Sequence, residues 1–442
     1  MLTGYSGHPE NKRIIIRTFV AIRKNTILQF TSLNLSSPIL QALESAGYQT
    51  PTPIQQQAIP AVLRQCDVLA CAQTGTGKTA AFSLPIIEQL LSAKSDAAYT
   101  GPKALILAPT RELAIQIGEN IEVYVSKTRI KQAVIFGGVS ALNQITALRK
   151  RPDILVATPG RLLDLLEQRA LSLQQVRFLV LDEADRMLDM GFIRDIRNII
   201  SKIPGKRQTM LFSATMPPEI EQLANAILNQ PERIAVAPVS STVDTIQQAI
   251  FPVAKAHKVD LLCHLVHNEQ NGNVLVFSRT KHGADKIVRK LGKAKITAQA
   301  IHGNKSQPAR QKALKAFKDG TLKVLVATDI AARGIDIDRL QLVVNFDLPN
   351  EPETYVHRIG RTGRAGETGR AWSFCDTEER EYLWQITKLI KQQLPLVEDH
   401  PFLPEDIDEY REKPTAAAQP ATSGNRKKKK HRRPHARYRA AV

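Results

Sequence analysis

Residues 72–79 read AQTGTGKT, a set of residue types suited to holding phosphate. Between a strand and a helix, such a loop aims successive backbone N–H groups at one anion, and the helix N-terminus adds partial positive charge. Gly75 and Gly77 permit the close approach, and Ala72, Gln73, Thr74 and Thr76 complete the loop. Lys78 would reach the β- and γ-phosphates, and the Thr79 hydroxyl would ligate Mg2+. The common form of the pattern begins with glycine, where this chain has Ala72. A glycine-rich loop without a ligand is the plainer reading; the strand–loop–helix setting and the GKT end argue against it.

Further along, FLVLDEAD closes an apolar run with two adjacent carboxylates, Asp182 and Glu183. Asp182 suits Mg2+, a hard ion usually held through waters, one or two carboxylates and substrate phosphates. Glu183 would orient and deprotonate an attacking water. Alone, an acidic strand end is commonly a solvated turn or a helix cap; beside a phosphate loop it points to hydrolysis.

The elements that must position these groups follow from periodicity. Short β-branched runs alternate with helical patterns, giving candidate strands at 68–71, 104–108, 133–136, 154–157, 178–181 and 209–212. The rhythm lapses over 231–245 and restarts at 274–277, 297–301, 323–327, 342–345 and 371–374. Strands alternating with helices predict βαβ units, hence an α/β fold of two mostly parallel sheets covered on both faces. Ligands of such sheets sit beyond the carboxyl ends of the strands, where the polar clusters fall. The expected division is a leader (1–29), a first segment (30–58), a phosphate-loop domain (59–236), a linker (237–246), a second domain (247–403) and a disordered basic tail (404–442).

The 442 residues suffice for two domains, and 43% hydrophobic content suits sizeable cores. No apolar run approaches a membrane span, and Arg17 interrupts the patch 14–22, against a signal peptide. Cys66, Cys71, Cys263 and Cys375 lack metal-ligand spacing and read as buried small residues of a reducing cytoplasm. The net charge of +19 asks for a polyanionic partner, and residues 426–442 hold nine Lys or Arg and no acid. A basic tail also serves solubility alone. The leader has one acid, Glu10, against five Lys or Arg, which fits a misassigned start or a transit peptide.

DEAD at 182–185, SAT at 213–215 and HRIGRTGRAG at 357–366 resemble the signatures of DEAD-box RNA helicases, a likeness covering about Phe30 to Pro401. It implies two tandem RecA-like domains, RNA-stimulated ATP hydrolysis with Mg2+, and local unwinding of RNA. GYQTPTPIQ at 47–55 resembles the family's Q motif, with Phe30 as the upstream aromatic residue. By that resemblance Gln55 hydrogen-bonds the adenine edge, as amide geometry allows, and Tyr48 stacks on the base. PTREL (Pro109, Thr110, Arg111), the second glycine of GG (Gly138) and TPGR (Thr158, Pro159, Arg161) resemble RNA-facing elements, and helix N-termini with arginines suit backbone contacts. Ser213 and Thr215 resemble the link between hydrolysis and strand separation; read alone they are turn hydroxyls.

In the second half, Arg279, Gly303, Gln307 and Thr328 match positions that touch RNA, and Asp336 matches an acceptor for ribose hydroxyls. Arg361 and Arg364 match arginine fingers, whose planar guanidinium pairs with phosphate oxygens. His357 matches a bridge between domains near the γ-phosphate, although a lone His is commonly structural. The flanking segments most resemble bacterial RhlE-type helicases. Ribosomal or RNA-degradation proteins would suit such an activity as partners, and a membrane would not. Two other readings are an ATP-gated RNA clamp and a DNA helicase.

Overall fold

The computed structural model describes residues 29–72, 75–93, 101–235, 246–269, 272–332, 340–363 and 369–411. Gln73, Thr74, Asp336 and Arg364 lie outside these residues, as do nearly all of the leader, the linker up to 245 and the basic tail 426–442.

Seven strands form the first sheet: β1 (Val68–Cys71), β2 (Ala104–Leu107), β3 (Gln132–Ile135), β4 (Ile154–Ala157), β5 (Phe178–Leu181), β6 (Gln208–Ser213) and β7 (Glu232–Ala235). They are parallel, in the order β3-β4-β2-β5-β6-β1-β7. The second sheet contains β8 (Ile246–Pro252), β9 (Val274–Phe277), β10 (Ala298–Ile301), β11 (Val324–Ala327), β12 (Leu342–Asn345) and β13 (Gly369–Cys375). It is also parallel, in the order β10-β11-β9-β12-β13-β8. This is the α/β, two-sheet architecture expected of tandem RecA-like domains.

Central strands such as FLVL in β5 and ALIL in β2 are buried at every residue, because helices cover both faces. Alternate side chains serve opposite cores. Ile106 and Val180 join the layer under the helix Lys78–Ser92, where Phe82 meets Phe212 at 5.3 Å between ring centres. Leu105, Leu179 and Leu181 face Ile196 and Ile199 on the other side. The second sheet divides in the same way, Val274 and Val276 to one layer, Leu275 and Phe277 to the other.

Three expectations are corrected. The lapse after Pro231 contains β7, which pairs with β1, and the last linker residue, Ile246, already begins β8, which pairs with β13. Residues 404–411, expected to be disordered, pack on the second unit. There Tyr410 is buried in a cluster with Ile250 and Tyr355, and the Arg380 guanidinium lies 5.8 Å from its ring centre. Of the four cysteines only Cys375 is buried; Cys66, Cys71 and Cys263 are half-exposed free thiols.

Candidate active site and RNA groove

Three neighbouring strands of the first sheet carry the chemistry at their carboxyl ends: β1 leads into the phosphate loop, β5 into Asp182 and Glu183, and β6 into Ser213. The parallel order β5-β6-β1 is therefore what gathers motifs distant in sequence. Lys78 opens the helix Lys78–Ser92, is buried, donates to the Ala72 carbonyl at 3.1 Å and lies 3.7 Å from Asp182 Oδ1. Gly77 has φ +90°, and a Cβ there would collide with the Gln55 amide, so this position needs glycine.

Gln55 closes one side of a pocket of about 280 Å³ that is also lined by Tyr48, Gly75, Thr79 and Glu183. Its Nε2 donates to the Gly77 carbonyl at 3.1 Å and its Oε1 accepts from Thr52 N–H at 2.9 Å. Each end keeps one further hydrogen-bonding position, enough for an adenine edge. Tyr48 presents a 37% exposed ring, held edge-on by Phe30 and by Tyr124, whose hydroxyl is 3.2 Å from its own. Phe30, expected in contact with the nucleotide, is instead 4% exposed in the core and supports Tyr48 from behind.

The acids sit in unlike environments although adjacent. Burial pushes the Asp182 carboxyl up to about 6, against the pull of Lys78. For Glu183 burial acts in the same upward sense, but Arg186, Lys78 and Arg361 outweigh it and hold the carboxyl below its usual range. Glu183 also adopts left-handed backbone, φ +55°, at the turn from β5 into the helix Ala184–Asp189. Asp185 ties this turn to the SAT loop: its Oδ2 accepts from the Thr215 N–H at 2.9 Å and hydroxyl at 3.0 Å, and Ser213 Oγ accepts from Asp185 N–H at 3.1 Å.

Asp182 Oδ1 is buried without a hydrogen bond. Among the described residues no group of three His, Cys, Asp or Glu side chains forms a protein-only metal cage. One carboxylate with an unsatisfied oxygen beside a phosphate loop fits Mg2+, which prefers waters and phosphates for its remaining positions.

From the second sheet, His357 and Arg361 reach the same cleft, where a cavity of about 500 Å³ is also lined by Asp185, Arg186 and Thr215. Burial, then the neighbouring Arg186, lowers the Arg361 guanidinium to about 9, still charged at neutral pH. Burial likewise lowers the His357 imidazole, followed by Arg186, which favours its neutral form. Arg358, between these two, is committed to the fold: it pairs with Asp329 at 2.6 Å and donates to the Asp347 carbonyl.

A second cavity, of about 440 Å³, brings together Pro109, Thr110, Arg111, Thr158, Arg161 and Gly303. Thr110 caps the helix Arg111–Val125, and Pro159 begins the helix Pro159–Glu167, so two helix N-termini open on this groove. The Arg111 guanidinium lies across Gly138, which has φ +79° and no room for a Cβ. Arg161 donates to the Val139 carbonyl at 3.0 Å. Thr328 and Arg279 follow β11 and β9 but do not line this cavity; Arg279 is paired with Glu379 at 2.7 Å.

Gln307, expected to contact RNA, is 1% exposed and does something else. Its Nε2 donates to Glu112 Oε1 at 2.9 Å, while Arg310 pairs with Glu112 Oε2 at 3.0 Å. One carboxylate of the first unit is thus clasped by a helix of the second. Glu112, Arg310 and Arg186 escaped the sequence reading. Gln307 and Arg310 stand one helical turn apart, as do Glu183 and Arg186, and that spacing was the available signal.

Residues 52–223 match the DEAD/DEAH box helicase family, and residues 257–366 match the helicase conserved C-terminal domain. The chain is 43% identical over 381 residues to the DEAD-box ATP-dependent RNA helicase CshA of Bacillus subtilis (strain 168), covering 86% of this chain and 76% of that protein. With CshA of Geobacillus kaustophilus (strain HTA426) it shares 44% over 365 residues, 83% of this chain and 77% of that one. Of the solved structures, S. cerevisiae Dbp5 bound to RNA and ADP BeF3 gives a TM-score of 0.74 at 32% identity, covering 84% of this chain and 95% of that chain. Mss116p (NTE and C-tail double deletion) bound to ssRNA and AMP-PNP gives 0.75 at 29%, covering 85% and 81%. A likeness of this depth over most of a relative's length leaves one conclusion: the chain belongs to the DEAD-box ATP-dependent RNA helicases.

Proposed function

We propose that this helicase hydrolyses ATP in the cleft between its two sheets and uses closure of that cleft to pry apart short RNA duplexes by their backbones, without reading base sequence. The observation that carries this reading is Arg361: it belongs to the second unit, yet it is 5% exposed and its charge acts directly on Glu183 of the first. The site is complete only when the units meet, so ATP and RNA together would drive closure, and hydrolysis would release it. Strand displacement from a short RNA duplex with ATP, compared with a non-hydrolysable analogue, is the test. Retention of RNA without displacement would favour an ATP-gated clamp, and equal stimulation by DNA would favour a DNA helicase.

In this reading residues 59–236 hold the nucleotide and residues 247–403 supply the groups that complete the site. Lys78 and Thr79 bind the phosphates with the loop backbone, and Gln55 and Tyr48 select adenine. Glu183 takes the proton of the attacking water. Arg361 and Arg364 stabilise charge on the transferred phosphoryl group, Asp336 accepts from the ribose, and His357 links the units. Mg2+ would be held by Asp182, largely through water, and by Thr79; when bound it neutralises charge on the phosphates. Ser213 and Thr215, bonded to the Asp185 turn, pass closure to the RNA side. The groove at Arg111, Gly138 and Arg161, with Gly303 opposite, holds the RNA backbone, and Arg279 and Thr328 extend it.

Segments 30–63 and 243–262 support an RhlE-type subfamily, whereas the relatives named above are CshA proteins. Ribosomal or RNA-degradation proteins are the partners to seek by copurification. A cytoplasmic location belongs to the same proposal, with four free cysteines in its support. Among the described residues no helix is long and apolar enough to cross a membrane.

The basic tail would tether RNA and raise its concentration at the motor. Nine cations on single-stranded RNA, at about 0.7 each, limit the salt slope of log affinity to about 6. A chain that engages only some of them should change it by about 2–4. Truncation after Ser423 is therefore expected to weaken RNA binding at moderate salt and to leave turnover at saturating RNA intact. Superimposable affinity-against-salt lines for full and truncated chains would reduce the tail to a solubility segment.

A further inference from the structure

Arg186 follows Glu183 by one helical turn, and its Nη1 donates to Glu183 Oε2 at 2.6 Å; the two side chains are 6% and 3% exposed. A guanidinium so far from water needs a full counter-charge, and a buried carboxylate needs its lone pairs occupied. The pair supplies the counter-charge and engages one carboxylate oxygen, and its position is unusual for a purely structural link. Glu183 lines the nucleotide pocket, while Arg186 lines the interdomain cavity into which His357 and Arg361 project. The ion pair therefore stands in the partition between nucleotide and second unit. Its acid is also reached from a backbone turn, at φ +55°, that few residues adopt, so the side chain's direction is set at both ends.

We propose that Arg186 is a positioning residue for hydrolysis: by engaging Oε2 it fixes the plane and rotamer of the Glu183 carboxylate, so that Oε1 meets the attacking water. This rests on Glu183 being the general base. Arg186 does not touch substrate. It removes a rotation that would carry the accepting oxygen out of line, and misplacement of a reacting group by about 1 Å can cost on the order of 10² in rate. A planar guanidinium fixes a carboxylate's orientation better than a point ammonium does, so lysine should replace it only in part.

The experiment is steady-state ATPase of the full chain at saturating single-stranded RNA, for R186Q, R186K, E183Q and R186Q/E183Q, with thermal melts as a check on folding. Expected for R186Q is a kcat lowered on the order of 10²-fold with KM for ATP and RNA affinity nearly unchanged, the signature of an interaction used in the transition state. R186K should fall between R186Q and the parent. R186Q/E183Q should be no slower than E183Q, since both act through one carboxylate. A parental kcat in R186Q, a loss confined to ATP or RNA affinity, or faster turnover without RNA would overturn the proposal. If R186Q does not fold, R186K decides: reduced kcat at parental KM supports the proposal, and parental kcat sinks it. E183Q with normal turnover would retire the general-base reading itself; inactive E183Q beside active R186Q would retire Arg186 alone.

Discussion

Glu183→Gln is expected to bind ATP and RNA as the parent does and to hydrolyse ATP on the order of 10²–10⁴-fold more slowly, the range a positioned general base supplies. The amide keeps the size of the acid and can still accept from Arg186, but the buried guanidinium loses its full counter-charge, so a thermal melt should accompany the comparison. Asp182 is untouched, and its Oδ1, buried without a hydrogen bond, remains for the proposed Mg2+. What disappears is a carboxylate held ionised by Arg186, Lys78 and Arg361 against its own burial. Equilibrium binding of a fluorescent ATP analogue and of RNA, beside steady-state phosphate release, makes the comparison. Lys78→Ala should show the converse, losing nucleotide affinity by roughly ten- to a hundredfold, because a charge-assisted contact of about 1.5–3 kcal/mol is removed. Near-normal turnover in Glu183→Gln would transfer the role of base elsewhere.

Arg361→Ala should lower RNA-stimulated hydrolysis by on the order of 10³–10⁵, the contribution of arginine fingers in related phosphoryl transfer. The side chain is 5% exposed and keeps its charge at neutral pH, so it is a desolvated cation near Glu183. Desolvation strengthens its interaction with charge developing on a phosphoryl group. It comes from the second unit, so ATP binding by the first should be unaffected. Single-turnover hydrolysis at saturating RNA, with RNA affinity measured separately, is the check. Loss of RNA affinity with unimpaired single-turnover rate would make Arg361 an RNA contact.

Most of the fold could be read from the sequence because the central parallel strands are apolar at consecutive positions: FLVL, ALIL and VLVF have no solvent face to disguise them. The two strands that were missed, β7 and β8, are sheet edges. Glu232–Ala235 buries only Ile234 well, and Ile246–Pro252 begins with alternating buried and exposed residues, so neither shows the continuous run of a central strand. The motifs proposed to hold nucleotide stand out in the sequence for a related reason. Each is a short stretch whose chemistry follows one strand, and β1, β5 and β6 deliver them to neighbouring ends. The burial of Gln307 and Phe30 was not legible because their surroundings are made by residues far along the chain. An exposed glutamine at a helix start and one facing Glu112 across a cleft have the same local sequence.

The first turn of the helix Arg111–Val125 has two faces: Arg111 lines the cavity proposed to hold RNA, and Glu112, the next residue, is held by Gln307 and Arg310. In the proposed mechanism, grip on the polymer and engagement of the second unit are two readouts of one rigid element. Reciprocity follows: the factor by which bound nucleotide tightens RNA must equal the factor by which RNA tightens nucleotide. The clasp is also modest. A single hydrogen bond from an amide and one ion pair supply at most a few kcal/mol. In the proposed cycle such a catch would register closure without locking it, and an engine that must let go of its track after every stroke needs a catch that yields.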